Sequence, residues 1–486
     1  SALDVLAAAG LDRGPHSVGF RVMAVLDPSR PAGPREAADR SRRLSVHVWF
    51  PAGSDTGGAM TMNDYLETVP GVASEHRQLL ARAIGVQFSD EQWAQYRALE
   101  FGARRDAAPA PGRFPLLIGI LRPVSVVTMA EYLASHGYVV AFVQGPRDAI
   151  AADGLALEAL TMAEQMRDMQ VAVAALRAEP FVRAAGLGAL GFSGDGLAQL
   201  VLAMRFAEID AVSQLETGYF GPTGTSSYEK MTAYDPSVLR APFLFAYSEN
   251  LGRNTDLQIA EIDRMRYAPR YLLYLGEPRL NHWDFATEGV ALAAAMNARP
   301  DARAGVARAF VAVQRYQRLF FDAFVKGDAT ARDRLATPPA PAAGGALIEA
   351  SSRPAIVPAI TRREFQRQFD ADPDAALRTA REGFARDPLG ALFDAEWLNG
   401  LGYELLQRNR KAHAIAVFQL NADAHPASAN AFDSLSEALE SAGRAADALA
   451  AAEKGMALLQ ADTTVPEAQK RTMAGGLRAR IDRLRR

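Results

Sequence analysis

The chain has 486 residues, 49% hydrophobic and 22% charged, with a formal net charge of -3 and no cysteine. That length predicts two or three domains, and the mixture is one that buries sizeable cores rather than staying disordered. Basic residues are scattered through both halves, which excludes a nucleic-acid footprint, and a chain without Cys has neither disulfides nor thiolate chemistry.

Along the chain, apolar and β-branched runs alternate with amphipathic stretches from about residue 20 to 330, the pattern of a mostly parallel sheet covered on both faces. The predicted strands are Leu44 to Phe50, Pro115 to Leu121, Tyr138 to Gln144, Leu187 to Phe192, Asp210 to Glu216, Pro242 to Ser248 and Arg270 to Gly276. The first alternates in polarity and suits an edge hairpin, whereas several later ones are continuously apolar, as strands buried on both faces are. Helices are expected around Val126 to His136, Leu157 to Arg177 and Leu197 to Phe206, with another ending near Val325.

A stretch rich in Pro, Ala and Gly, TPPAPAAGGA (Thr337 to Ala346), places a linker at residues 336–360 between an α/β domain, 1–335, and a helical domain, 361–486. In that tail Leu398, Leu401, Gly402, Leu405, Ala414, Phe418 and Pro426 sit at the offsets of a 34-residue helix-turn-helix repeat. Phe432, Leu435, Ser436, Leu439, Gly443 and Ala448 follow the same offsets, and Ala375 to Ala385 resembles half of an earlier, divergent repeat. The pattern is that of tetratricopeptide repeats; a generic helical bundle is the alternative. Two recognisable repeats are fewer than the three a free-standing array needs, so residues 361–486 are expected to pack against the first domain or a second copy of themselves, with protein or self-association through these helices as their role.

The strand ending at Phe192 runs into Ser193-Gly194-Asp195-Gly196 and then into an apolar-periodic helix. A serine on such a strand-to-helix elbow stands exposed above the sheet, and the next backbone N–H can hold an oxyanion. Segments Val18 to Arg30, Leu44 to Ala52, Met60 to Leu66 and Leu133 to Val143 resemble bacterial relatives of platelet-activating-factor acetylhydrolase and dienelactone hydrolase, over essentially the whole first domain. The resemblance implies an α/β-hydrolase fold and a carboxylic ester hydrolase with a serine, acid, histidine order, giving nucleophile Ser193, acid Glu216 and base His282 from NHWDF. Glu249 or Asp256 is the acid if that residue closes the following strand instead.

Gly194 is expected to donate to the oxyanion. The second donor position falls on Pro123, which has no N–H, so either Arg122 supplies it or the hole is incomplete. Asp195, where relatives carry a small residue, either favours the helix dipole or opposes the developing oxyanion. These two departures keep a second reading open, a degenerate hydrolase that binds proteins through its helices. His136 suits a helix end, and His16, His47, His76, His413 and His425 read as surface or packing residues. No metal-ligand spacing, phosphate loop, membrane span or signal peptide is recognised, no cofactor is implied, and the compartment stays open.

Overall fold

The computed structural model describes residues 4–31, 41–69, 71–120, 123–145, 154–193, 196–218, 233–249, 255–276, 280–336 and 348–486. They form two compact units, Ser1–Ala355 and Ile356–Arg486.

The first unit is built on a sheet whose strands are β1 (Ser17–Pro31), β2 (Ser41–Ala52), β3 (Ala59–Thr61), β4 (Glu100–Arg105), β5 (Phe114–Gly119), β6 (Val139–Gln144), β7 (Val182–Phe192), β8 (Ala211–Leu215), β9 (Phe243–Ser248), β10 (Arg270–Leu275) and β11 (Glu349–Arg353). Their order across the sheet is β11-β10-β9-β8-β7-β5-β6-β2-β1-β4-β3. From β6 to β10 every neighbouring pair is parallel. Successive side chains of a strand point to opposite faces, and the apolar runs divide accordingly. Leu117, Val140 and Phe142 enter one core, while Leu116, Ile118, Val139, Ala141 and Val143 enter the other. A strand buried on both faces must be apolar at every position, which explains why these strands are so plain in the sequence.

Two elements depart from expectation. β2 is no edge strand: it pairs antiparallel with β1 on one side and with β6 on the other. At its start the buried Arg42 guanidinium donates to both Asp168 carboxylate oxygens at 2.8 Å, and further on the buried His47 ring meets the Thr68 hydroxyl at 2.9 Å. β11, inside the stretch read as a linker, pairs antiparallel with β10 and closes that edge of the sheet. Its sequence EASSR has no apolar run, because an edge strand over an exposed rim needs none.

The sequence order of strands reverses between β5 and β7, which puts a crevice at their carboxyl ends. The helix Pro123–Ser135 follows β5, and the helix Leu197–Arg205 follows β7.

The second unit consists of helices Arg362–Ala371 and Pro373–Arg386, Ala395–Gln407 and Lys411–Ala424, Ala429–Ser441 and Ala445–Leu458, and a last helix Glu467–Leu484. Close packing within a pair depends on small residues: a Cβ on Gly402 would lie 2.5 Å from the Phe418 ring. Asn421, where a small residue is expected, is buried and donates from its amide to the Ala395 carbonyl at 3.2 Å. Among the described residues no helix is long and apolar enough to cross a membrane.

Candidate active site

β7 delivers Ser193 to the crevice on a sharp turn. Its φ of 60° is left-handed, a conformation that a non-glycine residue adopts only when its surroundings hold it there. The restraint is local: the Ser193 N–H donates to the Leu215 carbonyl at 2.9 Å, and its carbonyl accepts from the Gly196 N–H at 3.1 Å. Strand and helix approach so closely that a Cβ on Gly191 would sit 2.4 Å from the Gly196 Cα. Two buried glutamines brace this crossing. Gln214 donates to the Gly196 carbonyl at 2.6 Å, and Gln199 donates to the carbonyls of Leu190 and Ile120 at 3.2 and 3.3 Å.

His282 begins a short 3-10 turn, His282–Phe285, capped by Asn281. Its Nε2 lies 2.8 Å from the Ser193 hydroxyl oxygen. The ring stacks on Phe192 with centroids 4.9 Å apart and meets Trp283 edge-on at 5.7 Å. Burial among these aromatic groups pushes the imidazole down to about 4, so it is neutral and ready to accept a proton at ordinary pH.

Glu216 also has a left-handed φ, 50°, just past β8, with its N–H on the Ala246 carbonyl at 2.7 Å. The residue is 1% exposed, and among the described residues its carboxylate is held by Ser248. The Ser248 hydroxyl lies 3.0 and 2.7 Å from the two oxygens, and the Ser248 N–H donates at 3.2 Å. Burial raises this carboxyl to about 7, the Ser248 hydrogen bonds oppose the rise, and the nearby Asp284 charge adds to it. The structure therefore brings Ser193 and His282 together and sets Glu216 against Ser248. Among the described residues the Nδ1 of His282 has no hydrogen-bond partner.

Of the other acids weighed from sequence, Glu249 is exposed and accepts from the Tyr274 hydroxyl. Asp256 falls in the helix Thr255–Asp263, but its side chain lies outside the described residues, as do Gly194, Asp195 and Arg122. Pro123 opens its helix, where a missing N–H costs no helical hydrogen bond. Among the described residues no group of three or more His, Asp or Glu side chains is placed to hold a metal ion.

Sequence reasoning passed over Ser248, Gln199, Gln214, Asp284 and Arg299. Gln214 carried a signal, being a polar residue inside an apolar strand. Asp284 carried another, since Asn281 followed three residues later by an acid is an N-cap pattern. Nothing in the sequence joins Arg299 to that turn.

No family model matches the chain, and no curated protein is similar to it. Among solved structures it is similar to a ferulic acid esterase from Streptomyces cinnamoneus, at 18% identity and a TM-score of 0.45, over 64% of this chain and 91% of that one.

Proposed function

We propose that the first unit is a serine hydrolase of the α/β-hydrolase type acting on carboxylic esters of small molecules. One observation carries the reading: the Ser193 hydroxyl, strained onto a strand-to-helix elbow, lies 2.8 Å from a neutral, half-buried imidazole. In this mechanism His282 Nε2 takes the Ser193 proton as the oxygen attacks the acyl carbon. The imidazolium then gives that proton to the leaving alcohol. Water, activated by the same imidazole, hydrolyses the acyl-enzyme and regenerates Ser193. Gly194 N–H and a donor from Arg122 are assigned to the oxyanion, and Glu216 to the imidazolium, in keeping with its place beside the elbow. For Glu216 to serve Nδ1 its carboxylate must come within hydrogen-bond reach of the ring, beside or in place of its bonds to Ser248.

The second unit is read as an array of three tetratricopeptide-type helix pairs with a terminal helix, a surface for protein or self-association. A competing reading, a hydrolase fold retained as a binding scaffold, is favoured by the lack of any acceptor on His282 Nδ1 among the described residues. One experiment separates the two. A ladder of p-nitrophenyl esters from acetate to long acyl chains should be turned over at some length, and a fluorophosphonate probe should label the native chain but not Ser193→Ala. No turnover along the ladder, with equal labelling of both chains, would leave the scaffold.

A further inference from the structure

We propose that Asp284 and Arg299 form a clamp, closed through Asn281, that positions the His282 imidazole against Ser193. The proposal rests on the hydrolase reading for its kinetics but not for its geometry. Among the described residues no carboxylate reaches Nδ1, and the ring is held by the Ser193 hydroxyl, by the aromatic faces beside it and by the turn that carries it. A single 3-10 turn has poor hydrogen-bond geometry and is weak by itself.

Here it is tied at every corner. The Asn281 N–H donates to Asp284 Oδ2 at 2.7 Å, and Asn281 Oδ1 accepts from the Trp283 N–H at 3.0 Å. The Asp284 N–H returns to the Asn281 carbonyl at 2.9 Å, and the Asn281 amide reaches the Ala83 carbonyl at 3.3 Å. His282 is thus enclosed between two capping residues whose backbones and side chains bond each other.

The Asp284 carboxylate is fully buried, and a buried charge persists only when paired. Arg299 grips both oxygens, one through Nη1 and the other through Nη2 at 3.2 Å. Gly289 makes room for this: a Cβ there would lie 2.5 Å from Asp284 Oδ1. Neither Asp284 nor Arg299 touches Ser193, so both act through the turn and are positioning residues.

The test uses the full chain and three variants. Asn281→Ala opens the cap, Asn281→Ser restores an N-cap oxygen, and Arg299→Gln removes the counter-charge. With p-nitrophenyl esters, Asn281→Ala and Arg299→Gln are expected to lose about 100-fold in kcat with KM changed less than about threefold, since a displaced base costs rate rather than binding. Asn281→Ser should recover most of the loss. Independently of turnover, ring signals of His282 in chains with 13C-labelled histidine, assigned through His282→Gln, should be single and sharp in the native chain and broadened or doubled in Asn281→Ala. Asn281→Ala and Arg299→Gln chains that fold, keep native kcat and leave the His282 signals unchanged would overturn the clamp. A native chain that turns over no ester, while Asn281→Ala still broadens the His282 signals, would retire the hydrolase reading and leave the clamp standing.

Discussion

The Ser193 hydroxyl and the His282 Nε2 lie 2.8 Å apart, and in the proposed hydrolase the protonation of His282 sets when the pair works. Burial holds the imidazole down to about 4, so it stays neutral, and able to act as base, at any higher pH. If His282 acts without a carboxylate on Nδ1, the kcat/KM profile should rise as pH increases through about 4 and then stay level to about pH 8. If Glu216 joins Nδ1 during the reaction, as its assigned role requires, the rising limb should instead be centred between about 6 and 7. Glu216 gives the opposite sign. Its carboxyl, raised to about 7, keeps its proton in the folded chain where the unfolded chain has already lost it. The folded state then binds more protons, so this group's contribution to stability falls as pH rises from the ordinary carboxylate value to about 7. Glu216→Gln removes that fall, and relative to the native chain it should be more stable at about pH 8 than at about pH 5 in urea unfolding. Its effect on turnover separates the acids. If Glu216 orients His282 during the reaction, Glu216→Gln should lose on the order of 100-fold in kcat while Glu249→Gln and Asp256→Asn stay near native. A comparable loss at Glu249 alone would move the acid one strand onward.

The elbow is the element whose form the sequence made plainest, because its requirements are steric. Gly191 is there since a Cβ on it would lie 2.4 Å from the Gly196 Cα, and Gly196 since a Cβ on it would lie 2.8 Å from Gln214 Oε1. Gly191→Ala should accordingly destabilise the first unit by about 3 kcal/mol or more, read as a shift of the urea midpoint at unchanged slope. A midpoint within experimental error of native would show that the elbow gives way more easily than its geometry implies. The central strands were equally legible where burial on both faces leaves the apolar run as their single signature: β5, β6 and β9 carry it, whereas β8 breaks it at Ser213 and Gln214. β2 was placed correctly along the chain but wrongly in the sheet. Its alternation over Leu44 to Phe50 comes from Ser45 and His47, and such alternation reads the same whether a polar residue meets water or, as the buried His47 does, the Thr68 hydroxyl. The close pair of the candidate site, Ser193 and His282, was legible because both residues lie on motifs. The partners of Glu216 and the Arg299 end of the His282 turn were not, because Ser248 lies 32 residues from Glu216 and Arg299 lies 15 residues beyond Asp284, with no periodicity linking either pair.

On the scale of the whole chain, the boundary between the units is set by hydrogen bonding and not by composition. The Pro, Ala and Gly stretch ends before β11, whose ladder with β10 runs from Arg270↔Arg353 to Tyr274↔Glu349. Beside it Arg270 donates to the Pro354 carbonyl at 3.1 Å, and Arg353 pairs with Asp263 at 3.0 Å. A chain ending at Ala336 would thus lose a strand of the first unit and bare the edge of β10, a row of unpaired backbone groups open to another chain. Ending at Ala355 keeps the ladder. The shorter chain is expected to unfold at lower urea and to scatter more light at the same concentration, while the longer one behaves as the first unit does in the full protein. The second unit meets the opposite condition. Two recognisable repeats fell short of the three that a stacked array needs, but the structure supplies a third pair, Arg362–Ala371 with Pro373–Arg386, whose Phe365, Phe369 and Leu377 belong to the same core as Leu398 and Phe418 of the next. The helix Glu467–Leu484 ends the stack with Leu477 and Ile481 packed beside Ala452, and Arg480 and Arg483 bound to acids of the helix Ala429–Ser441. With three pairs and a terminal helix, residues 356–486 should fold alone with a cooperative thermal transition by circular dichroism. A broad, non-cooperative melt of that segment would mean that its core is completed only in the full chain.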